Sequence, residues 1–174
     1  MKTDMSSPKR ALSKLTGVKV LDELKKCGIT HIVYLPDTWA LSLYNAVCSK
    51  EIMDQYGFTA IPVCREGEAL GIATGLMLGG KEPVVLHQNR GLFESGDSVR
   101  AFCIEYKMPL FLLISYWGWN RKNLTNTAAL LTEPTLDVWG VKHYVVDSDD
   151  DVEKISIGHR EARRDQKTVA ILLG

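Results

Sequence analysis

The strongest constraint on the fold is a short apolar run that leads into a helix built largely of small residues. Residues 60–80 read A-I-P-V-C-R-E-G-E-A-L-G-I-A-T-G-L-M-L-G-G. Ile61 to Val63 is typical of a buried parallel strand. Glu66 and Glu68 place carboxylates in the first helical turn, where the helix dipole favours them by about 0.3–1 kcal/mol. Glycine in a helix interior costs about 1 kcal/mol relative to alanine, so this helix is expected to pack closely against something large.

The same alternation of strand and helix continues along the chain. Apolar runs predict six strands: Thr30–Leu35, Phe58–Val63, Pro83–Gln88, Leu110–Tyr116, Lys142–Val146 and Thr168–Leu173. The sequence between them predicts helices after Thr16 and Thr38, over Glu66–Leu78, Ser98–Tyr106, Pro134–Trp139 and Asp150–Arg163, with a long loop at Trp117–Thr132. This order predicts an α/β fold, a doubly wound, mainly parallel six-stranded sheet with helices on both faces.

Composition limits the class of protein. The 174 residues fit a flexible N-terminal arm (1–15) and a single domain (16–174). Lys+Arg and Asp+Glu both number 21, so no basic surplus favours nucleic acid or a membrane surface, and a net charge of zero favours association into a complex. No secretory signal or long apolar span is visible, so a cytoplasmic location is expected. The four cysteines lack zinc-binding spacing and are expected to be small buried hydrophobic residues.

Ligands of parallel sheets gather at the carboxyl ends of the strands. By that rule the candidate edge comprises Pro36-Asp37, Arg65-Glu66, His87–Gly91 and Tyr116–Asn120. The turn after the first strand, L-P-D-T, has no glycine, which disfavours a dinucleotide site, and neither a P-loop nor a G-x-S-x-G motif is present.

The four histidines differ in position. His31 and His143 fall within or at the start of strands and fit core or surface roles, and His159 lies on a charged helix where solvent exposure is expected. His87 ends a strand beside Gln88, and its position alone is compatible with either a structural or a functional role.

Three segments carry a family resemblance. They are L-K-K-C-G-I-T-H-I-V-Y-L-P-D-T (24–38), C-R-E-G-E-A-L-G-I-A-T-G-L-M-L-G-G-K-E-P-V-V-L-H-Q-N-R-G-L (64–92) and Y-K-M-P-L-F-L-L-I-S-Y-W-G (106–118). Together they resemble the pyrimidine-binding (PYR) domain of thiamine-diphosphate-dependent enzymes. Within that family they are most similar to the sulfopyruvate decarboxylase alpha subunit and the N-terminal half of phosphonopyruvate decarboxylase. The remainder of the chain matches only in its pattern of strands and helices.

The resemblance implies a set of cofactor-binding residues. Glu66 takes the position of the family's cofactor-activating glutamate, a catalytic residue that hydrogen-bonds the N1′ atom of the aminopyrimidine. Gln88, Asn89 and Gly91 match the family's Q-N-x-G loop beside the reacting carbon.

The resemblance also implies residues that face the substrate. Pro36 and the catalytic candidate Asp37 match a substrate-facing loop after the first strand. His87 stands where some decarboxylating relatives place a catalytic histidine, and Arg90 is positioned to meet an anionic substrate group. The family loop continues L-G-N, whereas this chain has Leu92-Phe93-Glu94, which is expected to narrow the pocket and add negative charge.

The family holds the diphosphate through Mg²⁺ on a second domain with a G-D-G signature. Gly96-Asp97-Ser98 lacks the third glycine and lies in the wrong segment, so no metal ligands are assigned to this chain. The resemblance therefore implies thiamine diphosphate and Mg²⁺ as cofactors, a beta subunit that carries the diphosphate-binding domain, and a hetero-oligomer such as α2β2 or larger.

The resulting hypothesis is the alpha subunit of a two-chain, thiamine-diphosphate-dependent decarboxylase. Its substrate is expected to be a small anionic 2-oxo acid such as sulfopyruvate or phosphonopyruvate. Two alternatives remain open within the resemblance, namely a carboligase subunit and a non-catalytic subunit for assembly or regulation. A flavodoxin-like or nucleotide-binding module is a further alternative, which nothing in the turn after the first strand favours.

Overall fold

The computed structural model describes residues 15–121 and 126–174. Six strands run parallel: His31–Tyr34 (β1), Thr59–Pro62 (β2), Pro83–Gln88 (β3), Phe111–Ser115 (β4), Lys142–Val146 (β5) and Val169–Leu173 (β6). Their order in the sheet is β2-β1-β3-β4-β6-β5. The predicted fold class is confirmed, with every pair of neighbouring strands parallel.

Helices cover both faces of the sheet. They are Gly17–Lys26 (α1), Leu41–Val47 (α2), Lys50–Tyr56 (α3), Glu66–Leu78 (α4), Asn89–Glu94 (α5), Gly96–Ser98 (α6), Thr127–Val138 (α7) and Lys154–Asp165 (α8). A π-helical segment, Val99–Glu105, continues α6, and short 3₁₀ turns lie at Trp119–Arg121 and Asp149–Asp151.

The core consists of two apolar layers, one on each face of the sheet. One layer packs α1, α2, α3 and α8 against side chains such as Ile32, Leu86 and Ile171. The other packs α4, α5, the π-helical segment and α7 against the opposite face, with Val85 and Ile114 near its centre. All five residues of β4 are buried, which agrees with the central, doubly covered strand that its apolar sequence predicts.

The strand order determines where the candidate site lies. From β1 the chain crosses to β2 at the edge of the sheet and then returns to β3 on the other side of β1. Such a reversal of winding leaves a crevice at the carboxyl ends of the two strands. The carboxyl ends of β2, β1, β3 and β4 therefore occupy four consecutive positions in the sheet.

Several sequence-based expectations about helices and loops are wrong. Helix α3 was not predicted from the sequence. Ser49 caps it through its side chain, and Gly57 ends it in the left-handed conformation (φ 69°). Helix α2 begins at Leu41, so Thr38 is not its N-cap. The long loop expected at Trp117–Thr132 is shorter, because α7 already begins at Thr127.

Expectations about individual polar residues also need correction. His159 is 7% exposed rather than solvated, and its Nε2 lies 2.8 Å from Glu82. Cys48 and Cys64 are exposed rather than buried. The predicted arm comprises residues 1–15. Residues 1–14 lie outside the described residues, and the side chain of Leu15 is buried.

Candidate active site

Four strand ends bring the predicted site residues to one edge of the sheet. Asp37 follows β1, Glu66 begins the helix after β2, His87 lies near the end of β3, and Trp117 follows β4. Because these four strands are neighbours in the sheet, side chains that are distant in sequence meet at this edge.

Glu66 is the first residue of α4 and lies across Gly91 of α5. A Cβ atom built on Gly91 would lie 2.2 Å from Glu66 Cγ, 2.4 Å from Oε1 and 2.5 Å from Cδ, so no side chain fits at position 91 while Glu66 keeps this position. The Glu66 side chain is half-buried, and within the described residues its carboxylate makes no hydrogen bond or ion pair. The Glu66 carboxylate, without a partner in the part of the chain that the structure describes, thus lies in the space that a side chain at position 91 would fill.

Glu94 connects the helices that carry these two residues. Its Oε1 accepts hydrogen bonds from Nε and Nη2 of Arg65 (3.0 and 2.6 Å), and its Oε2 accepts one from the main-chain N–H of Gly67 (3.2 Å). The Arg65 guanidinium and that N–H hold the pKa of the Glu94 carboxyl below its usual value. The negative charge expected at position 94 is therefore paired, and the carboxylate caps the first turn of α4.

Asp37 is held by donors on both carboxylate oxygens. Its Oδ1 accepts the main-chain N–H of Trp39, and its Oδ2 accepts the hydroxyl of Ser115 at the end of β4. Ser115 was not among the residues predicted from the sequence. The signal that could have identified it is a single hydroxyl at the last position of an otherwise apolar strand.

His87 is fully buried on the α4 side of the sheet. Its Nδ1 lies 2.9 Å from the Gln88 carbonyl oxygen, which can only accept, so Nδ1 carries the proton. Nε2 is buried and has no hydrogen-bond partner among the described residues. Burial lowers the pKa of the imidazole, and this outweighs the Gln88 carbonyl and the nearby carboxylates of Glu66 and Asp37, which raise it. The ring is therefore neutral and lies behind the crevice surface.

Gln88 and Asn89 lie at the junction of β3 and α5. Gln88 is half-buried and precedes the first residue of α5. Asn89 is fully buried, and its amide donates to the carbonyl of Trp117 (3.2 Å) and to Oγ1 of Thr132 (3.0 Å). Asn89 thus ties the loop after β4 to α7. Its role as a cofactor ligand stays a prediction.

Arg90 is exposed, and its guanidinium stacks on the indole of Trp117, with its carbon 4.0 Å from the ring centroid. Stacking fixes the plane of an arginine while its N–H groups remain available to an anion. Pro36, also exposed, precedes Asp37 on the same edge of the sheet.

A cavity of about 710 Å³ opens at the same edge, between α1, α2 and the ends of β5 and β6. Trp39 and Trp119 lie in its wall, but none of the predicted site residues does. Over residues 15–121 and 126–174, no cluster of His, Cys, Asp and Glu side chains could hold a metal ion. No helix in that part of the chain is long and apolar enough to cross a membrane.

The fold and the candidate site define an α/β domain with a carboxylate and a glycine opposed at the carboxyl edge of the sheet. A solved structure of similar fold is 2-oxoglutarate:ferredoxin oxidoreductase from Magnetococcus marinus, with a TM-score of 0.63 and 13% identity over 91% of this chain and 28% of that one. At this identity the match establishes the fold alone. No protein-family model matches the chain.

Sequence similarity is more specific and confirms the resemblance. The chain is 41% identical over 58 residues to sulfopyruvate decarboxylase subunit alpha of Methanococcus maripaludis, covering 33% of this chain and 35% of that protein. It is 30% identical over 102 residues to the same subunit of Methanocaldococcus jannaschii, covering 59% and 57%. It is also 29% identical over 100 residues to sulfopyruvate decarboxylase of Methanosarcina acetivorans, covering 58% and 24%. The matches thus span between a quarter and rather more than half of these relatives.

Proposed function

We propose that this chain is the alpha subunit of a thiamine-diphosphate-dependent 2-oxo acid decarboxylase. The observation that carries the proposal is the Glu66 carboxylate, which has no protein partner among the described residues and lies against Gly91 at the edge of the sheet. The similarity to sulfopyruvate decarboxylase subunit alpha supports the reaction class.

The residues at this edge fit an aminopyrimidine. Glu66 supplies a carboxylate acceptor for a ring nitrogen, and the absent side chain of Gly91 leaves the space that the Glu66 side chain occupies. When bound, thiamine diphosphate supplies the electron sink for decarboxylation. Glu66 then serves as the proton partner of the pyrimidine, and Gln88 and Asn89 belong to the loop beside it.

Asp37 and Arg90 are proposed to contact the substrate. Donors on both oxygens hold the Asp37 carboxylate in one orientation. The Arg90 guanidinium, whose plane is fixed on Trp117, offers N–H groups that suit a sulfonate, phosphonate or carboxylate. A small anionic 2-oxo acid such as sulfopyruvate or phosphonopyruvate is the proposed substrate.

His87 is proposed to act on Glu66 and Asp37 electrostatically, from a buried position behind the surface of the site. Its ring is neutral and fully buried. Its Nε2, which has no hydrogen-bond partner within residues 15–121 and 126–174, is an acceptor close enough to Glu66 and Asp37 to interact with them electrostatically. We assign the diphosphate, its Mg²⁺ and the second half of the active site to a beta subunit, in a hetero-oligomer such as α2β2. The location proposed for this complex is the cytoplasm.

The decisive experiment assays the tagged chain together with the subunits that co-purify from its own cells. Carbon dioxide release is measured from a panel of 2-oxo acids, with and without thiamine diphosphate and Mg²⁺. Glu66→Gln is nearly isosteric and is expected to lower turnover by about 100-fold or more while the assembly remains intact.

Glu68→Gln is the matched control, because Glu68 is exposed two residues further along the same helix turn. Its carboxylate accepts only the main-chain N–H of Cys64 among the hydrogen bonds described (3.0 Å), so full activity is expected. Cofactor-dependent release that survives Glu66→Gln would refute the role of Glu66. A complex that releases carbon dioxide from an acid, but yields the remaining acyl group joined to an added aldehyde instead of as the free aldehyde, would establish carboligation.

A further inference from the structure

A buried hydroxyl lies directly behind the Asp37 carboxylate. Ser115 is fully buried at the end of the central strand β4, and its Oγ donates to Oδ2 of Asp37 across 78 positions of sequence. The main-chain N–H of Trp39 donates to the other oxygen, Oδ1. The carboxyl group is therefore held from two sides, and of these two donors only the one from Ser115 can be removed by changing a side chain.

Tyr44 of α2 covers this pair from the face that carries α1 and α2. Its side chain is 2% exposed, and its hydroxyl is buried without a well-formed hydrogen bond in the part of the chain described. Burial raises the pKa of Tyr44 far above the ordinary value, with further contributions from Asp37 and, more weakly, Glu66. The phenol is thus neutral, and Asp37 and Ser115 are among the groups that surround it. A hydrogen bond shielded from water is stronger than an exposed one.

We propose that Ser115 is the positioning residue of Asp37. It directs the Asp37 carboxylate toward the substrate from beneath the sheet edge, and the ring of Tyr44 excludes water from their hydrogen bond. The assignment rests on the proposed function, because it takes Asp37 as a group that faces the 2-oxo acid. Ser115 itself is fully buried and acts only through Asp37.

The test compares Ser115→Ala with Ser115→Thr, which keeps the hydroxyl. In the complex that co-purifies with the tagged chain, Ser115→Ala is expected to lower kcat about 10- to 100-fold with KM changed by less than about threefold. Ser115→Thr is expected to restore most of this loss. The matched control is Ser95→Ala, since Ser95 is also buried and its hydroxyl donates to a main-chain carbonyl, that of Leu92 (3.1 Å), away from Asp37.

A double substitution tests whether Ser115 acts through Asp37. The variant with both Ser115→Ala and Asp37→Asn is expected to be no slower than Asp37→Asn alone, because groups that act as a unit are not additive. Losses that multiply in the double variant would overturn the assignment. Full kcat in Ser115→Ala would overturn it as well.

A second measurement does not depend on activity. The side-chain carboxyl ¹³C resonance of Asp37 is assigned in the full-length chain by its disappearance in Asp37→Asn. It is expected to shift in Ser115→Ala and to stay in place in Ser115→Thr and Ser95→Ala. An unchanged resonance in Ser115→Ala would refute the hydrogen bond. If the wild-type complex releases carbon dioxide from no acid, the proposed function fails, and this measurement still decides whether Ser115 holds Asp37.

Discussion

Replacing Gly91 by alanine tests the position of the Glu66 carboxylate without altering its chemistry. The new Cβ atom would lie 2.2 Å from Glu66 Cγ, whereas real Cβ contacts are essentially never shorter than 3.0 Å. The Glu66 side chain must therefore retreat by about 0.8 Å, and its Oε1 and Cδ must move with it. Glu66 is a flexible side chain with no hydrogen bond to lose within the described residues, so it can rotate away while the helices stay in place.

The two effects of this substitution are expected to differ greatly in size. A catalytic group misplaced by about 1 Å costs about 100-fold in rate, or about 2.7 kcal/mol of transition-state stabilisation. The backbone at Gly91 is helical, and alanine in a helix is more stable than glycine by up to about 1 kcal/mol, which offsets the cost of moving Glu66. Activity should therefore fall by about two orders of magnitude with little change in the free energy of unfolding.

The assay measures kcat for carbon dioxide release and the thermal unfolding midpoint of the same preparations. Gly96→Ala is the matched control, because a Cβ atom at Gly96 would only touch the Trp139 ring at 3.8 and 3.9 Å, which is ordinary van der Waals contact. Gly91→Ala with wild-type activity would show that the carboxylate does not need this position. A loss of stability that parallels the loss of activity would show that Gly91 serves the fold instead.

Two further predictions concern pH. Burial lowers the pKa of His159, but the nearby Cys27 and the hydrogen bond with Glu82 outweigh it and raise the pKa to about 9. Protonated His159 stabilises the folded state fully below about pH 6.5, and this stabilisation is lost as pH rises through about 9. Thermal melts should therefore show the free energy of unfolding falling by up to about 3 kcal/mol over this range, and His159→Gln should abolish this pH dependence. The pKa of Glu94 is lowered, mainly by Arg65. The stabilisation of the folded state by the Glu94 carboxylate should disappear as pH falls below about 4.5. In Glu94→Gln the thermal unfolding midpoint should therefore depend less on pH between pH 6 and pH 3.

The strands were predictable from the sequence because their boundaries carry strong chemical signals. Pro83 begins β3, and β5 begins two residues after Gly140, whose φ of 66° marks the end of a helix. Both strands and helix α4 have the predicted bounds. Helix α3 was missed because its seven residues are too short for helical periodicity to appear, although Ser49 and Gly57 are good cap residues.

Helix α7 was predicted to be too short for a different reason. Pro134 lies inside it, and a proline usually marks the start of a helix rather than its interior. The predicted helix therefore begins at Pro134, and the residues before it are predicted to form a loop. Its actual start is capped by Asn126, whose side chain accepts the main-chain N–H of Ala129 (3.3 Å).

The candidate site was predictable as a set of residues but not as an arrangement. The rule that ligands gather at the carboxyl ends of strands selected Asp37, Glu66 and the segment after β3. It does not reveal that β2, β1, β3 and β4 are consecutive in the sheet, because strand order depends on tertiary packing. Ser115 escaped notice for the same reason, since its contact with Asp37 joins segments 78 positions apart in the chain.

Glu94 departs from the family pattern, and its role in the structure differs from the role that the sequence suggests. In sequence, a carboxylate beside the loop adds negative charge to the site. In the structure its two oxygens bind Arg65 and the N–H of Gly67, which supplies α4 with the cap that the Arg65 side chain does not provide. The same contact fixes the start of α4 against α5, the two helices that carry Glu66 and Gly91. The departure from the family pattern therefore strengthens the frame that holds the proposed catalytic carboxylate against glycine.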